Sequence, residues 1–380
     1  MAAENTSYRN LQKSFISNLN GTTAFEISLA TSSAPVSVLL RSLLCQFLAG
    51  NRQTLEGIFP TSIIFMLEYV TLVLPTFLVF TVLADYAFIF NLLLLLLATT
   101  GLFFQGNSIQ NQTFSVPVLD KKKRFLCNFR AYVNIATAIS ILAVDFSIYP
   151  RRYAKTETYG TGLMDVGVGS FMIANAVVCQ DARGATASTA SFAKAVKKEL
   201  RAVFVLLGLG LVRFAAVKTT DYQEHVSEYG VHWNFFLTLA CVRVLSIIIL
   251  RTLPENLGKH PWIIGILIGL FYQRALVNGL ENFVLNGSRG DGSRSNFIDA
   301  NREGICSSLG YVALYFIGVS IGKLFFYNKH DSVRSLLKLF LSLMCIVVLC
   351  WSTLWYWGNM HSPERIISRR LANFPFLLWQ

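Results

Sequence analysis

Residues 141–162, ILAVDFSIYPRRYAKTETYGTG, decide how this chain reads. An apolar run carrying one acid, Asp145, ends at Pro150 and gives way to Arg151, Arg152, Lys155 and Glu157. In a water-soluble protein this would be an ordinary helix end. In a membrane chain, an acid five residues before the proline sits roughly 7–8 Å below the helix end at 1.5 Å per residue. A carboxylate at that depth is costly and marks function.

The rest of the chain supports the membrane setting. Of 380 residues, 53% are hydrophobic and 14% charged, with 30 Phe and 14 Tyr. Soluble domains carry about 25% charged residues. Mean hydropathy is +0.50. The net charge of +12 is assigned to topology and anionic head groups, and no nucleic acid partner is expected. The seven cysteines are scattered without a C-x-x-C pair, so no zinc or redox framework is indicated. No metal ligand set is apparent. The N-terminus lacks the basic-then-apolar form of a cleaved signal peptide, so the first hydrophobic segment is expected to act as its own signal-anchor.

At roughly 20 apolar residues per span, about ten spans follow, near 24–48, 61–82, 86–104, 128–149, 160–179, 201–217, 231–250, 261–285, 305–327 and 334–357. The fold class is all-α: a polytopic helical membrane protein, read as one multi-spanning domain over residues 1–380. Barrel strands are excluded because the runs are too long and too continuously apolar. Loop charge sets orientation. Lys121–Arg124, Lys194–Arg201 and Lys329–Arg334 fall on one side, taken as cytoplasmic, which places the N-terminus in the lumen with the sequons at Asn20 and Asn286. Arg289, Arg294, Arg302 and a sequon at Asn111 run against this count.

The run AVDFSIYPRRYAKTETYGTGLMDVGVGSF, together with SFISNLNGTTAFEI, SEYGVHWNFFLTLA, NREGICSSLGYVALYFIG and RRLANFPFLLW, resembles the glycosylphosphatidylinositol (GPI) inositol acyltransferases of PIG-W type. These blocks cover nearly the whole chain in order. The resemblance implies a multi-spanning protein of the endoplasmic reticulum. It implies transfer of a fatty acyl group, usually palmitoyl, from acyl-CoA to the inositol 2-hydroxyl of glucosaminyl-phosphatidylinositol, an early step of GPI-anchor assembly. Acyl-CoA is then a co-substrate, no bound cofactor is implied, and protein partners are unknown. Family members continue past the NFPFLLW block with further membrane helices. The chain therefore reads as a shortened form, with residues 371–380 as the stump of a span.

The chemistry is argued from the residues as well. An alcohol attacking a thioester needs a base, donors for the oxyanion and a dry pocket. Asp145 is read as the general base and Lys155 as its orienting partner or oxyanion donor; a purely structural ion pair is the competing reading. His232, in EYGVHWNF, is the rival base, because its pKa suits proton transfer near neutrality. Arg151 and Arg152 suit bidentate phosphate contact, against which stands simple snorkelling to head groups. Glu157, Tyr159, Asp165, Asn234, Asn301 and Glu303 complete the expected substrate contacts. For Asp165 the alternative is its place in a small-residue packing helix; for Asn301 and Glu303 it is a helix start. Two other classes stay open: a transporter of a lipid-linked or anionic substrate, and an inactive, shortened scaffold. A transporter would more often show two related halves, which the sequence lacks.

Overall fold

A computed structural model describes residues 15, 17, 19–49, 57–105, 124–184, 192–219, 226–327, 332–360 and 366–380. The lysines at 121–123, Lys329, the sequon at Asn111 and three of the histidines (His225, His330 and His361) lie outside the described residues. Regular structure among the described residues is helical: α1 (Ala24–Ala49), α2 (Thr61–Phe80), α3 (Ala87–Gln105), α4 (Arg124–Ala143), α5 (Leu163–Ala176), α6 (Phe192–Thr219), α7 (Phe235–Thr252), α8 (Pro261–Asn286), α9 (Arg302–Tyr327), α10 (Val333–Met360) and α11 (Phe374–Trp379). The protein is thus a polytopic helical membrane protein, with a helix at each of the ten expected spans. Eight of the described helices are long and apolar enough to cross a membrane. The apolar stretch Ala84–Thr100 and α5 are shorter. With 14 residues, α5 is roughly 21 Å long, short of the ~30 Å hydrocarbon core.

The two boundaries that flank the loop between α4 and α5 differ from expectation. Helix α4 stops at Ala143, so Asp145 lies in the following turn and is exposed. The turn bonds Phe146 N–H to Ala143 O and Tyr149 N–H to Phe146 O, and the Arg151 guanidinium donates to Val144 O at 2.6 Å. Those local partners replace helical ones, and Pro150 disfavours helical backbone at Tyr149. At the other end of the loop, α5 starts only after Gly162, where the Asp165 carboxylate accepts from the Gly162 N–H at 2.9 Å. That is one half of a capping box.

The chain divides into two compact units. One comprises Gly21–Lys155 with Thr161–Gly167. In it α1 packs on α3 and α2, and α2 on α4. Asn91 on α3 donates to Leu29 O at 2.8 Å and Ser32 Oγ at 3.0 Å on α1. Arg41 on α1 pairs with Glu68 on α2, so two charges inside spans cancel. The second unit comprises Met1–Asn20, Thr156–Gly160 and Val168–Gln380. Its centre is α9, whose most apolar window is 56% buried, against 0% for α10. Helices α7, α8 and α11 pack on α9. Gly318 and Gly322 let the end of α5 approach closely: a Cβ on Gly322 would overlap the Val177 carbonyl oxygen. Small residues serve helix contacts in lipid in this way.

Residues 371–380 are not a loose stump. Asn373 caps α11, its Oδ1 accepting from Phe376 N–H at 3.1 Å and Ser368 N–H at 3.2 Å. Phe376 and Leu377 belong to the main core. The Tyr272 hydroxyl donates to Leu371 O at 2.8 Å and the Tyr311 hydroxyl to Arg369 O at 3.2 Å. The length needed to span a bilayer does not apply to a short helix held inside protein.

Gly160 fixes the loop that feeds α5. Its φ is +123°, its N–H donates to Ile367 O at 2.9 Å, and a Cβ there would overlap the Asn20 carbonyl oxygen. Gly160→Ala is expected to lower stability by at least ~1–3 kcal/mol, the scale of a strained backbone residue, read as a lower melting temperature in detergent. Gly290→Ala separates the two causes. It shares the positive φ, at +75°, but has open space around its Cβ, so it should be milder. Equal losses would remove the steric part of the argument.

Candidate functional site

The loop between α4 and α5 carries most of the expected site. In the unit containing Gly21–Lys155, Tyr149 and Tyr153 are fully buried at 0% exposure, edge-to-face with ring centroids 6.2 Å apart. The Tyr149 hydroxyl donates to Tyr153 O at 3.2 Å. Burial pushes the Tyr153 phenol up to about 12 and raises Tyr149 as well. Both therefore act as donors and packing groups, not as bases near neutrality. Arg152 bonds Glu26 at 2.7 Å through Nε, pairs with Asp85 through a terminal nitrogen, and lies 5.3 Å from the Tyr153 ring centroid. Burial works against its charge, and the two carboxylates outweigh it, raising its pKa. Of the expected phosphate rim, Arg152 is thus the member already matched by acids. Arg151 is half-buried; burial lowers its pKa, while Tyr149 and Asp145 act in the other direction. Lys155 is half-buried, and Asp165 is fully buried at the start of α5.

In the second unit, Thr156–Gly160 is tied down on several sides. Glu157 is exposed and its N–H donates to Leu19 O at 3.2 Å. The Ser368 hydroxyl donates to Thr158 O, and Arg369 reaches Thr156 O at 3.5 Å and Glu228 at 3.4 Å. The Tyr159 hydroxyl donates to the Glu281 carboxylate. Both sequon asparagines in the described residues, Asn20 and Asn286, are exposed.

His232 stands on a separate scaffold in the same unit. Its exposed ring stacks on Phe297, centroids 6.3 Å apart at 4°, and meets Phe214 edge-on at 5.8 Å. The His232 backbone N–H donates to Asn301 Oδ1 at 2.8 Å, and Asn301 Nδ2 donates to Phe297 O at 2.9 Å. Asn234 is the N-cap of α7, accepting from Phe236 and Leu237 N–H at 3.1 and 3.2 Å and donating to Gly210 O at 2.9 Å. The amides of Asn234 and Asn301, expected to meet substrate, are therefore spent on backbone. Asn234→Ala should lower stability by about 0.5–2 kcal/mol, the range for a lost N-cap, plus the bridge to α6. An unchanged melting temperature would contradict the capping role.

Glu303, a candidate sugar contact, is fully buried at 0% exposure. Its carboxylate accepts from Arg294 at 3.0 and 2.6 Å and from Arg370 at 2.9 Å, with Arg302 Nε at 3.9 Å. Arg302, 2% exposed, donates to Val284 O, Ser293 O and Asp299 O at 3.0–3.1 Å and to the Asp299 carboxylate at 3.3 Å. Burial opposes the charge on Asp299, but the Ser288 N–H and Arg302 hold its pKa below the usual carboxylate value. Burial likewise lowers Arg370. This network was missed in the sequence. Only the adjacency of Arg302 and Glu303 signalled it, since Arg370 lies 67 residues from Glu303.

The family model GWT1 matches residues 8–380. The glucosaminyl-phosphatidylinositol-acyltransferase PIGW of Homo sapiens is 35% identical over 388 residues, covering 98% of this chain and 74% of the relative. The GPI-anchored wall transfer protein 1 of Saccharomyces cerevisiae is 34% identical, covering 97% and 79%. The phosphatidylinositol-glycan biosynthesis class W protein of Dictyostelium discoideum is 32% identical, covering 98% and 80%.

Proposed function

The chain belongs to the GWT1 family, and on that premise we propose that it acylates the inositol ring of glucosaminyl-phosphatidylinositol in GPI-anchor biosynthesis. The observation that carries this is similarity along almost the whole chain to relatives named for that reaction. The donor is a fatty acyl-CoA, palmitoyl by preference, and the acceptor oxygen is the inositol 2-hydroxyl. The protein acts in the endoplasmic reticulum membrane with its N-terminus and the sequons Asn20 and Asn286 in the lumen.

In this reading Asp145 takes the hydroxyl proton, the oxygen attacks the thioester carbonyl, the carbon–sulfur bond breaks, and coenzyme A leaves as a thiolate that takes up a proton. Two features support Asp145: it is exposed in the turn after α4, and its charge acts on Arg151. Lys155 orients the base or donates to the oxyanion. Arg151 meets the lipid phosphate, while Arg152, matched by Glu26 and Asp85, holds the loop in place. Glu157, Tyr159 and Asp165 serve the acceptor. His232 is the second candidate base, supported by its exposed ring.

Microsomes from cells expressing this chain, given labelled acyl-CoA and glucosaminyl-phosphatidylinositol, test the reading. A labelled acylated lipid is expected. Movement of either substrate without a covalent product would favour a carrier. No product, with rescue of a partner's level, would favour a scaffold.

A further inference from the structure

Acids placed inside membrane helices need a compensating cation or a function. Among the described residues most acids in the apolar helices are compensated: Glu26 by Arg152, Glu68 by Arg41, and Glu303 by Arg294 and Arg370. Glu281 on α8 differs. Its carboxylate is half-buried and receives the Tyr159 hydroxyl, but no lysine or arginine among the described residues pairs with it. Arg274, two turns earlier on α8, is exposed and does not reach it.

The backbone around Glu281 is also unusual. Helix α8 passes through a π-turn at Leu276–Leu280, in which Gly279 has φ +116°, and Glu281 starts the second half of the helix. A Cβ on Gly279 would meet nothing within 4 Å, so the break faces open space. Irregular backbone inside a span is tolerated where protein buries it or where it lines a cavity, and π-turns concentrate at functional sites. A broken helix and a half-buried acid that pairs with a phenol and, among the described residues, with no protein cation leave Glu281 suited to a cationic ligand group.

The acceptor named for the relatives carries one such group, the free amine of glucosamine. We propose that Glu281, oriented by Tyr159, binds the protonated amine of the acceptor's glucosamine and so selects the amine-bearing lipid over its N-acetylated form. This rests on the acceptor assigned under the proposed function.

The test is direct binding of short-chain glucosaminyl-phosphatidylinositol and its N-acetylated counterpart to the full chain in detergent. Acyl transfer to each lipid is measured in parallel. Wild type should bind the amine lipid at least about tenfold more tightly, one 1.4 kcal/mol interaction. Glu281→Gln should bring the ratio close to one, chiefly by weakening the amine lipid. Raising the pH past the amine's own pKa should abolish the preference in wild type. Tyr159→Phe, which leaves the carboxylate in place, should reduce the preference and decides the matter if Glu281→Gln does not fold. Equal binding of the two lipids by wild type overturns the proposal. So does a preference that survives Glu281→Gln or, where that variant does not fold, one unchanged in Tyr159→Phe. Selective binding without acyl transfer leaves the amine site standing and overturns the catalytic reading; transfer to both lipids alike does the reverse.

Discussion

Asp145→Asn is expected to lower acyl transfer to glucosaminyl-phosphatidylinositol by roughly 10²–10⁴-fold, the span that general acid–base groups contribute. The protein should still fold and accumulate as wild type does. The side chain is exposed in the turn after α4, and that turn is closed by backbone bonds and by Arg151, not by the carboxylate. Asparagine keeps the shape and removes only the proton acceptor. Turnover per folded molecule, at saturating donor and acceptor, is the quantity to measure. Unchanged turnover in a well-folded variant would exclude Asp145 as the base and move the role to His232, whose ring also faces outward. His232→Ala in the same assay completes the comparison: it should leave most of the activity if Asp145 is the base.

Glu303→Ala should have the largest effect on stability. Two buried carboxylates, Asp299 and Glu303, face three guanidiniums, Arg294, Arg302 and Arg370. Removing Glu303 leaves Arg294 and Arg370 without their anionic partner, and Arg302 with Asp299 alone. Breaking a buried pair from one side costs about 3–5 kcal/mol, because the remaining charge stays out of water. That is a large share of the 5–15 kcal/mol by which proteins are stable. The variant should show a sharply lower melting temperature in detergent and a reduced level in membranes. Glu303→Gln, which keeps a hydrogen-bond acceptor, should lose less. A Glu303→Ala protein as stable as wild type would mean that the cluster is hydrated and contributes little.

The fold was legible where it depends on composition. Ten apolar runs predicted ten helices because a run of Leu, Phe and Ile has few other ways to satisfy its backbone in lipid. The end of α4 was not legible. ILAVDFSIYP stays apolar enough to read as one helix up to Pro150, and it is the local backbone bonds of Phe146 and Tyr149, with Arg151 on the Val144 carbonyl, that close the turn earlier. Burial of α11 was hidden for a related reason: span length is a rule about lipid, whereas Phe376 and Leu377 are surrounded by protein.

The site was legible as residue types and sequence blocks, not as partners. Arg151 and Arg152 look equivalent in sequence. The structure separates them, because Arg152 finds Glu26 at a distance of 126 residues along the chain. Asn234 and Asn301 read as polar contacts beside a histidine, and they turn out to hold backbone N–H groups at the ends of helices. Glu281 is a further acid whose partner the sequence does not show. Its pairing with Tyr159 spans 122 residues, and no local pattern encodes that.

The most direct measurement is the position of the acyl group on the product. Membranes containing this chain would convert glucosaminyl-phosphatidylinositol with labelled palmitoyl-CoA, and the isolated lipid would be treated with a phosphatidylinositol-specific phospholipase C, which uses the inositol 2-hydroxyl to displace the diacylglycerol. The account predicts a labelled lipid that resists cleavage and becomes cleavable once its inositol ester is selectively removed, with neither seen in membranes lacking the chain. A labelled product that is cleaved without de-esterification, or whose label is an alkali-stable amide on the glucosamine, would contradict it.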